Sequence, residues 1–157
     1  MILRFALLPL LAAVVACQPA TSHAELGRSA AGLEQVPLTI ESRGKRYAFI
    51  VEAARSPEEQ TQGLMHRQSL APDRGMIFLY DPPRPAAFWM RNTLIPLDMI
   101  FVRPDGTIGS IAANTVPLSL EAVPSGEPVS AVLEIAGGRS AELGIGPGDK
   151  VSWPQVK

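Results

Sequence analysis

Residues 88–98 hold the densest group of side chains in the sequence that could bind a polar ligand. Trp89 and Arg91 alternate with Phe88 and Met90, so an extended strand places the indole and the guanidinium on one face. An indole beside a guanidinium can stack on a sugar ring or hold a carboxylate. The segment therefore predicts a recognition surface. The structural alternative is that Trp89 caps the edge of the core and Arg91 pairs with a surface acid.

Two polar residues of the same segment have a structural and a functional interpretation. Asp98 interrupts an apolar run, 97–101, and a carboxylate in a buried strand needs a partner, for which Arg67 and Arg91 are the predicted donors. Asp98 is thus either half of a buried ion pair or an acid facing a ligand. Asn92 is expected to close a turn with its amide, with ligand binding as the alternative.

A second acid, Glu134, should face away from Leu133 and Ile135 in a later strand. With Asp98 it could form the carboxylate pair of a glycoside hydrolase, if their separation suits that chemistry. The sequence contains no nucleophile elbow, phosphate-binding loop, dinucleotide fingerprint or zinc-protease motif, so a binding module is favoured over an enzyme. The candidate ligand-binding residues are Arg67, Trp89, Arg91, Asn92, Asp98 and Glu134.

A third hypothesis is copper binding through thioethers. Met65, Met76 and Met90, with His66, could bind Cu(I), which prefers soft ligands. Their spacing lacks a compact Met-x-Met arrangement, and methionine is also an ordinary filler of protein cores. Zinc is disfavoured because His66 is the only histidine of the predicted domain and no cysteine lies there. We therefore expect no metal and no cofactor.

Cys17, the only cysteine, ends the apolar run 5–16, which follows the cationic Arg4 and is too short to span a bilayer comfortably. This pattern resembles the lipobox of bacterial lipoproteins, in which the thiol carries diacylglycerol and becomes the acylated N-terminus. Residues 1–16 are thus predicted to be a signal peptide. The alternative is ordinary cleavage after Ala24, which would release a soluble periplasmic protein.

Gln18, rather than aspartate, follows the cysteine, and by resemblance to proteobacterial sorting this favours the outer membrane. We expect a lipid-anchored protein on its periplasmic face. Residues 17–35 are rich in small, polar and charged groups and predict the lipidated cysteine and a flexible tether. The expected partners are the membrane, through the anchor, and either a polar small molecule or glycan or another envelope protein.

The charge balance excludes one class of partner. The chain has 14 basic and 15 acidic residues and a formal net charge of −1, which is not the cationic footprint of a nucleic-acid-binding protein. Residues 36–157 are enough for one domain with a hydrophobic core.

The residues that could do chemistry must be positioned by short strands and two minor helices. Residues 38–40 and 47–51 predict a hairpin, and Ser56 with Glu59 predicts a helix start with a capping box, ending near Gly63. Prolines 82, 83 and 85 predict a stiff loop. Further strands are expected at 75–80, 87–91, 97–102, 107–112, 129–135 and 151, an irregular loop at 114–128, and a short helix at 140–143. The predicted fold is mainly β (α+β), a compact single-domain barrel or sandwich of about six to eight short strands with one or two short helices.

Five motifs occur in a fixed order along the chain: Gly63-Leu64-Met65-His66-Arg67, Gly75-Met76-Ile77-Phe78, the block from Phe88 to Asp98, Val132-Leu133-Glu134, and the block from Gly144 to Val151. Together they resemble the DUF192 family, small bacterial and archaeal proteins of unassigned function. The resemblance covers residues 36–152. It implies a small β-rich fold and no particular activity.

Overall fold

The computed structural model describes residues 26–154. The predicted signal peptide and Cys17 lie outside the described residues. The elements are β1 (Gln35–Ser42), β2 (Lys45–Ala54), α1 (Pro57–Gln62), β3 (Arg74–Phe88), β4 (Leu97–Val102), β5 (Ile108–Ala112), β6 (Val123–Ala136), α2 (Arg139–Leu143) and β7 (Lys150–Ser152). Neither of these helices is long and apolar enough to cross a membrane. The prediction of a mainly β domain with two short helices is confirmed.

All seven strands form one mixed sheet in the order β5-β4-β6-β3-β2-β1-β7. Every pairing is antiparallel except that of β2 with β3, whose connection contains α1. The sheet curls until its two edge strands meet: the Ile108 amide donates to the Asp149 carbonyl at 2.8 Å, and the Val151 amide donates to the Gly106 carbonyl at 2.8 Å. The result is a half-barrel that is joined along one short stretch of its edges.

Curling gives the sheet two apolar faces with different surroundings. The interior core fills the concave side and draws on all seven strands, with Leu38, Val51, Ile77, Ile100 and Leu133 among its members. The outer cluster lies on the other face, because side chains alternate along each strand. It contains Leu33, Leu64, Met76, Phe78, Met90, Leu97, Met99, Phe101 and Val132, among others. Segments outside the sheet, including those of Leu33 and Leu64, cover it.

Two local predictions are confirmed in detail. The β1–β2 hairpin turns through Arg43 and Gly44, both with positive φ, as a two-residue turn between right-handed twisted strands requires. At α1 the Ser56 hydroxyl accepts from the Glu59 amide at 3.1 Å, and the Glu59 carboxylate accepts from the Ser56 amide at 2.9 Å. The backbone bonds that Glu59 accepts lower the pKa of its carboxyl.

The proline-rich loop was predicted wrongly. Strand β3 continues to Phe88, and its partner β6 begins at Val123, inside the predicted loop 114–128. The pairing shifts register between Leu79 and Arg84, so Pro82 and Pro83 lie in an exposed bulge where the ladder needs no donor. These two long strands form an arm that extends past the rest of the sheet.

Asp98 is buried completely, but neither of its predicted partners binds it. Its carboxylate accepts from the backbone amides of Asn114 at 2.7 Å, Gly138 at 2.8 Å and Ser140 at 2.7 Å. The prediction of an ion pair with Arg67 or Arg91 is therefore wrong. Backbone amides replace the arginines because the turn into α2, with Gly138 and Ser140, and the loop after β5, with Asn114, both reach the carboxylate near the start of β4.

We predict that Asp98→Asn lowers the free energy of unfolding by about 3 kcal/mol, since a charged acceptor is lost and an NH₂ group must face amides that also donate. Urea denaturation measures the change. The matched control is Glu121→Gln, an exposed acid in the loop before β6, for which we expect less than about 0.5 kcal/mol. Equal effects of the two substitutions would contradict this assignment.

Candidate functional site

A cavity of about 410 Å³ opens on the outer face of the sheet, between α1, the arm and the loop that follows β3. Its walls present about as much polar as apolar surface. Its lining residues include Gln60, Thr61, Gln62, Leu64, Met65, Phe78, Tyr80, Phe88, Trp89, Thr93 and Glu134. A hollow that combines aromatic side chains with several polar groups can hold a small polar ligand.

Glu134 lies at the base of this cavity and is 4% exposed. It is on β6 and its cross-strand neighbours on the same face are Met76 and Met99, both fully buried. Burial raises the pKa of Glu134 to about 8, and no hydrogen bond or charge among the described residues contributes to the shift. At neutral pH the group is therefore a protonated acid that presents one O–H donor and one carbonyl acceptor.

Aromatic side chains line the same cavity as the acid. Phe78 and Phe88 pack edge to face, with ring centroids 4.9 Å apart and planes at 77°. Trp89 is 48% exposed, and the Arg91 guanidinium lies 5.5 Å from the centre of its ring. Burial raises the pKa of the Tyr80 hydroxyl. The burial of the Glu134 carboxyl itself raises its pKa and favours its neutral form.

Hydrogen bonds to the backbone fix the rim. Gln60 donates to the carbonyls of Ala54 and Leu79 at 3.3 and 3.4 Å, which ties α1 to the sheet. The His66 amide donates to the Asn92 carbonyl at 2.9 Å, which ties the loop after α1 to the loop after β3. The cavity is thus held open by pinned segments rather than by the sheet alone.

The structure brings two of the six predicted site residues into this cavity, Trp89 and Glu134. Arg91 and Asn92 lie beside it on an exposed turn, because β3 ends at Phe88 instead of continuing to residue 91. Asn92 lies in a turn with a positive φ of 56°, but its side-chain amide donates to the Met65 sulfur at 3.9 Å and does not close the turn as predicted. Arg91 stacks with Trp89, so the predicted association of indole and guanidinium is present at the rim.

Arg67 faces a neighbouring cavity of about 680 Å³ on the other side of α1. Its guanidinium binds both carboxylate oxygens of Glu52, at 2.8 and 2.6 Å. Glu52 is on β2 and buried, so this pair is an internal, two-pronged ion pair. Because each group already satisfies the other, Arg67 is not available to the Glu134 cavity.

Asp98 and Glu134 do not share a site. The β4–β6 register pairs Asp98 with Ile135 and Met99 with Glu134, so the two acids point to opposite faces of the sheet. Asp98 is also saturated by three amides. The hypothesis of a hydrolase with these two carboxylates is therefore wrong, since no water and no substrate could be held between them.

The methionines and the histidine of the copper hypothesis lie in different parts of the structure. Met76 and Met90 are buried within the outer cluster, and the Met90 sulfur accepts from the Thr115 hydroxyl at 3.1 Å. Only Met65 of the three lines the Glu134 cavity, and His66 lines the neighbouring one. Between residues 26 and 154 no three His, Cys, Asp or Glu side chains are grouped to hold a metal ion.

Sequence reasoning missed the aromatic walls of the site. Phe78 and Tyr80 follow Met76 at steps of two along β3, and Met76 pairs with Glu134. An alternation count from Met76 would therefore have placed both rings on the face of Glu134. The contribution of α1 had no such signal, because it depends on how the single parallel crossover folds over the sheet.

The family model named DUF192, an uncharacterized ACR, matches residues 38–153. The chain belongs to the DUF192 family. No curated protein matches it. The matched range contains every strand of the sheet except the first three residues of β1, so this DUF192 protein contains the family's domain once, with the Glu134 cavity inside it.

Two solved structures are similar to this DUF192 protein. A protein of unknown function from Novosphingobium aromaticivorans DSM 12444 is 49% identical, with a TM-score of 0.81 over 84% of this chain and 94% of that one. A Sinorhizobium meliloti 1021 protein, provisionally described as a transcription regulator, is 40% identical, with a TM-score of 0.75 over 77% of this chain and 95% of that one.

We predict that Glu134 makes the protein less stable as the pH rises. The folded-state pKa of about 8 is above the ordinary value of 4.5, so between these values the unfolded chain binds fewer protons than the native one. Stability then falls by about 1.4 kcal/mol per pH unit from this group. Urea denaturation at pH 5, 6, 7 and 8 should show that Glu134→Gln gains over wild type across this window. Parallel stability profiles would contradict the shifted pKa.

Proposed function

We propose that this protein binds a small, uncharged, saccharide-like ligand in the Glu134 cavity, without chemical conversion of it. The observation that carries the proposal is a buried acid that has no hydrogen-bond partner among residues 26–154 and lines a cavity with aromatic and polar walls. Buried polar groups are normally satisfied within the protein. An unsatisfied one that reaches a cavity suggests that a ligand completes its hydrogen bonds.

The form of the acid suggests the class of ligand. A neutral carboxyl both donates and accepts, which suits hydroxyl and amide groups, while the indole of Trp89 and the ring of Phe88 suit the apolar face of a sugar ring. A volume of about 410 Å³ is adequate for a small ligand. A second acid at the site would favour hydrolysis, but Asp98 lies across the sheet and Glu52 is paired with Arg67.

We further propose that the domain is held at the periplasmic face of the outer membrane by acylation of Cys17, with Gln18 directing the sorting. This rests on the sequence pattern ahead of the domain. Soluble release after Ala24 is the competing outcome. The balance of 14 basic and 15 acidic residues argues against a nucleic-acid partner. Another envelope protein as the bound partner is a second candidate that the site itself does not favour.

The binding proposal predicts that Trp89→Ala weakens the affinity for N-acetylglucosamine oligosaccharides by about tenfold, because stacking on an aromatic plate is worth about 1 kcal/mol or more. Glu134→Leu should weaken it further, and Glu134→Gln, which keeps a donor and an acceptor, should retain most of it. Isothermal titration calorimetry at pH 7 measures these changes. The matched control is Leu120→Ala, an exposed apolar residue that is not among the lining residues. Undiminished binding by both Trp89→Ala and Glu134→Leu would exclude this site.

The anchor predicts that the mature protein begins at Cys17 and carries two or three acyl chains, since one chain alone binds a membrane only weakly. Mass spectrometry of the N-terminal peptide measures this, and Cys17→Ser provides the control. An unmodified N-terminus at Glu25 would show ordinary cleavage instead.

A further inference from the structure

The loops at one end of the outer face carry an unusual amount of exposed apolar surface. Among residues 26–154, the large apolar side chains that are exposed number five, and all of them lie in the loops 89–96 and 113–122. We call these five residues the apolar loop patch: Trp89, Leu94, Val116, Leu118 and Leu120, with exposed fractions from 40% to 70%. Single exposed apolar residues need no explanation, but a cluster of this kind marks an interaction surface.

Backbone hydrogen bonds make the two loops one surface. The Met90 amide donates to the Ser119 carbonyl at 3.0 Å, and the Leu118 amide donates to the Thr93 carbonyl at 3.1 Å. Leu118 has a φ of 63°, a left-handed conformation that leucine rarely adopts. A strained residue that is pinned in place and directs an apolar side chain to solvent indicates a shaped surface, not a slack loop.

The polar groups of the patch suit a lipid surface. The two loops contain only two charged residues, Arg91 and Glu121. The Arg91 guanidinium lies 5.5 Å from the centre of the Trp89 ring, and both side chains are exposed. Tryptophan prefers the level of the lipid head groups, where an arginine can extend to the phosphates, while leucine and valine enter the acyl region.

The position of the chain's anchor points to the same surface. Leu26, the first described residue, follows Cys17 by nine residues, which span at most about 30 Å when fully extended. Leu33 then belongs to the outer cluster together with Met90, which lies in the loop 89–96, and Leu97, which follows that loop. The N-terminal segment and the apolar loop patch are therefore on the same face of the sheet.

We propose that the apolar loop patch docks the domain onto the lipid surface that holds the Cys17 anchor. The proposal rests on that anchor for its orientation and goes beyond the ligand-binding role. Trp89 and Thr93 also line the Glu134 cavity, so docking places the mouth of the cavity beside the head groups. Ligands would then enter along the membrane surface.

Quenching of tryptophan fluorescence by brominated lipids tests the docking. The purified mature protein, in its Trp153→Phe form, is incorporated into vesicles of phosphatidylethanolamine and phosphatidylglycerol with brominated acyl chains. We expect the emission of Trp89 to fall by about twofold or more relative to unbrominated vesicles. Bromine atoms on the acyl chains quench an indole only at short range, and a docked tryptophan lies at the level of the head groups, next to those chains. The Trp89→Phe form provides the control: Trp153 lies near Gly106, ahead of β5, whereas the loop 113–122 leaves the far end of that strand. Its emission should not change.

A triple variant tests the patch itself. Val116→Ser, Leu118→Asn and Leu120→Ser, made together in the Trp153→Phe form, should abolish the quenching of Trp89, with a thermal transition in circular dichroism confirming that the variant folds. Asparagine is chosen at 118 because it tolerates a positive φ. Quenching that persists in a folded triple variant, or that is equal for Trp89 and Trp153, would overturn the proposal.

Other occupants of the patch give different results. A second copy or a protein partner would shield Trp89 with increasing protein per vesicle and without an effect of bromine, which would overturn lipid docking. An N-terminus without acyl chains, together with bromine quenching of Trp89, would disprove the anchor and leave the docking surface supported. Acylated protein without quenching of Trp89 would support the anchor and overturn the docking. Saccharide titrations of the triple variant test ligand binding independently of the anchor and the docking, since none of the three substituted residues lines the Glu134 cavity.

Discussion

The structure depends on one constraint: a single curled sheet has two apolar faces, and curling encloses only one of them. The concave face is enclosed by strands. Where the two sheet edges meet, the Ile108 amide donates to Asp149 and the Val151 amide donates to Gly106. Among residues 26–154 there is no second sheet for the convex face to pack on, so loops, α1 and the segment of Leu33 cover it. Loops cover a sheet less completely than another layer does, and both the Glu134 cavity and the apolar loop patch lie where this cover is incomplete.

Asp98 and Glu134 show what the two faces do to the same functional group. Both are buried on neighbouring strands. Asp98 meets three backbone amides, two at the turn into α2 and one in the loop after β5, so the protein itself satisfies its charge. Glu134 meets methionine and aromatic side chains, and burial raises its pKa to about 8. One carboxyl therefore holds the fold together, and the other is left with unused hydrogen-bonding capacity.

Local signals in the sequence predicted the local structure well. The capping box of Ser56 and Glu59 and the strand 97–102 could be read directly, because each depends on residues close in the chain. The prolines misled because their effect depends on register: in the β3 bulge they lose no ladder bond. The sequence indicates that a proline disfavours strand pairing. It does not show which residues of a strand lie in a bulge and therefore need no ladder hydrogen bond.

The residues of the site were likewise predictable only in part from the sequence. Trp89 and Glu134 were predicted as candidates from their residue types, and they meet in the cavity although 45 positions separate them in the chain. Arg67 and Asp98 were predicted by the same reasoning but do not line the cavity. Arg67 is bound by Glu52, and Asp98 is bound by backbone amides that include the Ser140 amide. A buried charge binds the first adequate partner that the fold supplies. Sequence patterns identify the charge, whereas the partner depends on contacts between segments distant in the chain.

The free energy spent on Glu134 argues that its isolation is functional. Keeping this group protonated at pH 7 costs about 3 kcal/mol relative to an unfolded chain in which it ionises freely. That is a sizeable share of the stability of a small domain, which is about 5–15 kcal/mol. A leucine or methionine at this position would pack against Met76 and Met99 without that cost. An acid that lowers stability, accepts and donates no side-chain hydrogen bond within the described part of the chain, and reaches a cavity is best explained by a ligand that completes its hydrogen bonds.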